Sequence, residues 1–348
     1  MSLATGRPTQ ILSVQYVRGI AAIGVAAFHG SLLTNVSFSV GNAGVDAFFV
    51  ISGFVMWLIT SGRNVTMAAF FGQRIKRVVP IYWVVTLFLA LAATLKPNLF
   101  PRENPTVPHV VESLLFIPHV APNGSIWPLL IQGWTLNYEM FFYLLFGLLL
   151  ITSASTRLAS LTFVILILTC IGRLFPFVNR IALTDTSPLL LEFLAGVWLA
   201  QAWIRDRLPP VWLAWSMLSS GVLVLVASNW LPNVEGFRVL IWGIPALLIL
   251  TGLVSLEKSQ AIKPRLRVLK LLGDASYSIY LTHSLAILAI TIMLARIGVN
   301  IEGQAYLLAP ILVGAVAIGV VSYWLVEKPL AGLLRPVRFP QNIRTQDP

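Results

Sequence analysis

Apolar residues gather in ten blocks, separated by connections that are polar and, with one exception, short. The blocks cover 11–33, 44–60, 78–95, 138–155, 158–172, 187–204, 211–230, 239–256, 275–295 and 305–326. A spanning helix needs about 20 predominantly apolar residues, because roughly 30 Å of hydrocarbon is crossed at about 1.5 Å per residue. Several are unambiguous: 78–95, 239–256 and 305–326, among others, contain no charged residue. The block 158–172 is short and pinned between Arg157 and Arg173, so it spans only if these side chains snorkel. The pattern predicts an all-α polytopic membrane protein of about ten transmembrane helices. The first run is too long, and lacks the small-residue cleavage site, for a cleavable signal peptide. The one long connection, 96–137, holds His109, His119, Asn123, Trp127 and Trp134, and reads as an ordered cap. No repeat or second domain is visible: 1–338 reads as one membrane domain and 339–348 as a polar tail.

Composition agrees and adds an orientation. Of the 348 residues, 57% are hydrophobic and 11% charged, against about 25% charged in soluble domains; a soluble enzyme, a disordered chain and a disulfide scaffold are all excluded. The net charge is +11, which in a membrane protein points to topology before nucleic acid. With the N-terminus inside, 17 of the 24 Lys and Arg fall on the cytoplasmic side, 6 on the other, and Arg18 lies within a span. That asymmetry puts both termini in the cytoplasm. The single cysteine, Cys170, forms no intrachain disulfide.

Ionisable residues inside the blocks are candidates for function, since insertion scales charge about 2.5–3.5 kcal/mol for Arg or Asp at a helix centre. Arg18 and His29 share the first block. Eleven residues turn a helix by about 1100°, so the two lie on one face, about 16 Å apart along the axis. Snorkelling explains Arg18 alone but does not require a shared face. Asp46 opens the second block, a hairpin away from His29. It is either a helix N-cap or the carboxylate that orients an imidazole acting as general base. Glu139 complements a helix dipole or joins the same outer cluster, as does Glu192. At the other end Arg74, Lys76 and Arg77 precede the third block, with Arg74 and Arg77 on one face. Positive-inside charge accounts for some basic residues there; arginine geometry also suits a phosphate clamp. Ser276, Tyr280 and His283 form a polar stripe on the ninth block that would line a cavity. Asp274 reads as an N-cap, and Glu327-Lys328-Pro329 as a proline-stopped helix end.

There is no Walker-type or dinucleotide loop, nucleophile elbow or HExxH motif, and four dispersed histidines with one cysteine give no expectation of a built-in metal site. The remaining motifs are Arg18…His29, Gly44-Val-Asp-Ala-Phe-Phe-Val-Ile-Ser-Gly-Phe, Arg74-x-x-Arg77, Gly133-Trp-Thr-Leu-Asn-Tyr-Glu-Met-Phe-Phe-Tyr, Ser276-Tyr-Ser-Ile-Tyr-Leu-Thr-His and Glu327-Lys-Pro. In this order on a ten-span chain they resemble the integral-membrane acyltransferase 3 family, and around 133–143 its exopolysaccharide-production subgroup. The resemblance covers nearly the whole chain. It implies a bacterial inner-membrane enzyme that moves an acyl group, acetyl by family default, from cytoplasmic acyl-CoA to a hydroxyl of an extracytoplasmic carbohydrate. His29 would be catalytic, with Asp46 or Glu139 orienting it. Arg18, Arg74, Lys76, Arg77, Ser276, Tyr280 and His283 would contact the acyl donor. No metal and no nucleic-acid partner is expected; self-association is left open. A proton-coupled transporter or flippase would use Arg18, His29, Asp46 and Glu139 as a relay, but the inverted repeat typical of such proteins is not evident.

Overall fold

The computed structural model describes residues 10–62, 65–100, 105–232 and 234–334; the tail 339–348 lies outside them. Among the described residues ten helices are long and apolar enough to cross a membrane, and none of the structure is strand. The chain is a multi-pass membrane protein. Large apolar side chains such as Leu32, Phe88, Leu91, Phe163, Leu223 and Val313 point outward, as a bilayer requires and water would penalise.

Capping chemistry explains why several helices outrun their apolar blocks. The third helix, Met67–Leu95, starts where Thr66 accepts the Ala69 N–H. Arg74, Lys76 and Arg77 therefore ride on a helix and not in a loop. The fifth, Ala154–Leu174, is capped by Ser153, and its 21 residues turn the short block into a full span. Its Arg157 is buried, with its guanidinium 5.9 Å from the Trp57 ring and 6.0 Å from Phe146. The first helix, Leu12–Thr34, has no local cap; Glu257 of the eighth span accepts the N–H groups of Leu12 (2.9 Å) and Ser13 (2.7 Å).

Other boundaries depart from the apolar pattern. The fourth span begins at Gly133 (Gly133–Leu148), which shortens the cap and sets Glu139 about 9 Å into the helix. The tenth span does not stop at Pro329. It passes through a π-helical turn, Tyr323–Glu327, into Lys328–Leu333, where Pro329 occupies a first-turn position that needs no N–H donor. Asp274 is not an N-cap; it ends the short helix Arg267–Asp274 and accepts from Lys270 Nζ (2.7 Å) and Gln10 Nε2 (3.0 Å).

Two glycine contacts set the helix spacing. The second helix, Gly44–Thr60, and the sixth, Leu190–Ile204, touch backbone to backbone: a methyl added at Gly53 would overlap the Phe193 carbonyl, and one at Gly196 the Val50 carbonyl. At Gly19 of the first helix an added Cβ would lie 3.0 Å from the Gly273 nitrogen, just before the ninth span, Ser276–Arg296. Ten residues beyond each of these glycines stand His29 and His283. The two histidines meet across these helices, His283 Nε2 lying 3.1 Å from His29 Nδ1.

The cap is ordered among its described residues. Its helix Val107–Leu114 is held on the third span by Tyr82 Oη donating to the Ser113 carbonyl (3.0 Å) and Trp83 Nε1 donating to that of Leu114 (2.9 Å).

Candidate active site

The bundle encloses a cavity with about 940 Å³ of empty space, its open mouth included. Apolar walls come from the second helix (Val45, Phe48, Phe49, Ile51, Val55, Met56), and the polar lining is Arg18, Arg74, Arg77, Ser52, Thr135, Glu139, Ser276 and Tyr280. Five of the sequence-selected residues, Arg18, Arg74, Arg77, Ser276 and Tyr280, thus meet at one space. A second, open groove is lined by Gln73, Arg74, Lys76, Arg77, Pro80 and Glu327. Arg74 and Arg77 belong to both, and stand between groove and cavity.

Glu139 also faces this cavity, not His29. Its Oε1 accepts from Ser52 Oγ (3.0 Å) and Tyr143 Oη (2.5 Å). A carboxylate among three arginines is a counter-charge, and the two hydroxyls fix its orientation. The expectation that Glu139 orients the histidine does not hold, because a residue two turns into its helix lies below the level of the cap.

Asp46 is likewise engaged elsewhere. Fully buried, it receives Arg238 Nε on Oδ1 (3.0 Å) and Arg238 Nη2 on Oδ2 (2.9 Å). Arg238 lies over Trp242 (4.9 Å) and Trp134 (5.6 Å), and also bonds Glu235 and the Asn42 carbonyl. Burial disfavours the Arg238 charge, but the Asp46 carboxylate more than offsets it and holds the guanidinium above its ordinary range. The buried carboxyl of Glu192 sits beside Asp46 and shares a side-chain hydrogen bond with it, over the π-helical turn Val239–Gly243. Neither role read for Asp46 from sequence is the one seen: it forms a bidentate ion pair, and His29 takes another partner.

That partner is His283, which sequence had placed in the donor-binding stripe. His283 is fully buried and does not line the cavity; its Nε2 lies 3.1 Å from His29 Nδ1. Gln132, at the end of the cap, reaches the same His283 nitrogen with its amide (3.3 Å) and also bonds Ser284. The Gln132 carbonyl accepts from Thr135 Oγ1 (3.0 Å) and Tyr280 Oη (3.4 Å), whose hydroxyls stand 2.9 Å apart. A continuous polar chain thus runs from the cavity through Thr135 and Tyr280, across Gln132, to His283 and His29. Among the described residues no three His, Cys, Asp or Glu side chains converge as metal ligands would.

Sequence reasoning did not select Gln132, Thr135, Ser52 or Arg238. Ser52 and Thr135 stand within quoted motifs, and Arg238 carried a signal of its own: an arginine on the side that the positive-inside bias depletes, directly ahead of an uncharged block. Gln132 is neutral and ends a loop, and nothing in its neighbours marks it.

The ten-span bundle thus gathers three arginines at one cavity and pairs two histidines beyond it. The family model described as an acyltransferase domain matches residues 11–325, and the chain belongs to that integral-membrane acyltransferase family. It is similar to the exopolysaccharide production protein ExoZ of Rhizobium meliloti, with 39% identity over 306 residues, 87% of this chain and 93% of that protein. It is also similar to the acyltransferase MdmB of Streptomyces mycarofaciens, with 26% identity over 81% of this chain and 80% of that one. No solved structure matches it significantly.

Proposed function

We propose that this acyltransferase moves an acyl group, acetyl in the first instance, from cytoplasmic acyl-CoA to a hydroxyl of an extracytoplasmic carbohydrate, an exopolysaccharide or its lipid-linked precursor. The observation that carries the reading is the sharing of Arg74 and Arg77 between the open groove and the enclosed cavity. CoA has phosphates at its nucleotide end and a slender pantetheine arm at the other. The groove, with Lys76 beside the two arginines, suits the phosphates; the narrower apolar cavity, with Arg18, Ser276 and Tyr280 on its wall, suits the arm. The charge asymmetry of the sequence argues that this basic end faces the cytoplasm. The carbohydrate side of the reading draws on the likeness to the Rhizobium exopolysaccharide production protein.

His29 then acts as general base on the acceptor hydroxyl beneath the cap. To reach it, the thioester passes the Thr135–Tyr280 contact, which separates cavity from histidines in this state. Glu139 serves as counter-charge to the arginines, and Asp46 holds the outer end of the bundle together through Arg238.

The test is a kinetic division of labour in membranes supplied with labelled acetyl-CoA and polysaccharide acceptor. Arg74→Ala and Arg77→Ala are expected to raise the KM for acetyl-CoA with a smaller effect on kcat. His29→Ala is expected to lower kcat by about 10²–10⁴-fold, the usual contribution of a general base. Full transfer by His29→Ala membranes would contradict the reading.

A further inference from the structure

The hydrogen-bond partners of the two histidines fix which nitrogens carry hydrogen. His283 Nδ1 lies 2.6 Å from the Tyr280 carbonyl oxygen and 3.3 Å from that of Ile279. A carbonyl oxygen only accepts, so Nδ1 is protonated and Nε2 of the neutral ring is a bare lone pair. Two groups point at that lone pair, the Gln132 amide nitrogen at 3.3 Å and His29 Nδ1 at 3.1 Å. His29 Nδ1 is also 3.0 Å from the Val25 carbonyl oxygen, so it too carries its hydrogen. The remaining nitrogen, His29 Nε2, is unprotonated, and no described residue bonds it.

A histidine base is commonly backed by a carboxylate that stabilises the imidazolium. None of the three carboxylates that the sequence pointed to does so: Asp46 is bound to Arg238, Glu192 sits beside Asp46, and Glu139 accepts from Ser52 and Tyr143. Besides the Val25 carbonyl of its own helix, it is the lone pair of His283 that faces the Nδ1–H of His29. We infer that His283 is the positioning residue and proton relay of His29, resting on the reading of His29 as the base. The acceptor O–H bond breaks as its proton joins His29 Nε2, and the His29 Nδ1 proton passes to His283 Nε2. The freed oxygen bonds to the thioester carbonyl carbon and the C–S bond breaks. The two proton moves then reverse, so that the leaving CoA sulfur receives the proton from His29 Nε2. The products are ester and free thiol, and both rings return to their starting state.

Gln132 fits both states of such a relay. In the resting state its amide N–H₂ serves the His283 lone pair and Ser284, and its Oε1 is buried with no partner. Once His283 Nε2 is protonated, an N–H facing an N–H is repulsive. A half-turn of the amide brings the idle Oε1 round to accept from that nitrogen. A site built for the neutral ring alone would have no use for this buried acceptor. Around His283 the facing groups are His29 from the first helix, Gln132 from the end of the cap, and Tyr280 and Ser284 of its own helix; His29 is the titratable one at its Nε2.

The test compares His283→Ala, His283→Gln and Gln132→Leu with the parent, following kcat, acyl-CoA KM and the pH profile of kcat in matched amounts of membrane-inserted protein. His283→Ala is expected to lower kcat about 10²-fold, with acyl-CoA KM within twofold of the parent and the acidic limb of the profile displaced. His283→Gln, whose Oε1 can accept from His29 Nδ1–H, is expected to restore about tenfold of the loss. Gln132→Leu is expected to lower kcat alone, and it keeps the test open should His283→Ala fail to insert. Raised acyl-CoA KM with parental kcat and pH profile in the His283 variants would make His283 a donor-binding residue and overturn the relay. So would parental values throughout. His29→Ala, run alongside, separates the two claims. If it is inactive while the His283 variants are normal, only the relay fails; if it is active, the base assignment fails as well.

Discussion

Arg238 and Asp46 lie 192 positions apart and form a bidentate pair that is 7% and 0% exposed at the side chains. Removing one member of such a pair leaves a buried charge uncompensated and costs about 3–5 kcal/mol, whereas replacing both is far milder. Asp46→Asn and Arg238→Gln are therefore each expected to lower the thermal unfolding midpoint in detergent strongly, and the double variant to recover most of the loss. A kcat defect in Asp46→Asn at unchanged stability would instead return Asp46 to the catalytic group. At this scale the sequence was readable wherever a polar residue stood out against an apolar run. Arg18, His29, Asp46, Glu139, Tyr280 and His283 were all visible for that reason. Their partners were not, because pairing depends on which helices touch and at what depth. An arginine in a connection and a glutamine at the end of a loop gave no hint that they bind Asp46 and His283.

Helices set those depths. The first and ninth spans approach closely at Gly19 and meet again at His29 and His283, and the start of the fourth span at Gly133 carries Glu139 down to the arginines. Helix existence followed from hydropathy, but several ends did not, because Thr66 and Ser153 act through hydrogen bonds that hydropathy does not register. The cap carries its own device. His119 Nδ1 donates to the Ile117 carbonyl (2.7 Å), so its Nε2 accepts the Nδ1–H of His109 at 2.7 Å. Burial first, and the neighbouring His119 second, hold His109 below the ordinary imidazole range, with Glu112 pulling the other way. A ring depressed in the closed cap binds protons more readily once the cap opens. Its contribution is therefore complete above the open-state value of about 6.5 and is lost as pH falls from there toward the folded value. Relative to the intrinsic amide rate at each pH, hydrogen exchange over the described cap residues is expected to accelerate from pH 7.5 to pH 5.5 in the parent, and to be flat in His109→Gln. Equal acceleration in both would assign the effect to another group.

The whole molecule puts two kinds of chemistry at opposite ends of one bundle: Arg74, Lys76 and Arg77 around the groove, and the histidine pair toward the cap, joined through Tyr280, Thr135 and Gln132. Charge asymmetry in the sequence already separated those ends, while the cavity between them depends on packing across helices distant in sequence. The most direct measurement is transfer across a sealed bilayer. Protein reconstituted in vesicles with its basic end outward would receive labelled acetyl-CoA outside and polysaccharide acceptor enclosed within. The expected result is label accumulating on the enclosed acceptor, with free CoA released outside, and both abolished by His29→Ala. Label appearing only on acceptor placed on the same side as acetyl-CoA, or transfer that persists in His29→Ala, would contradict the account.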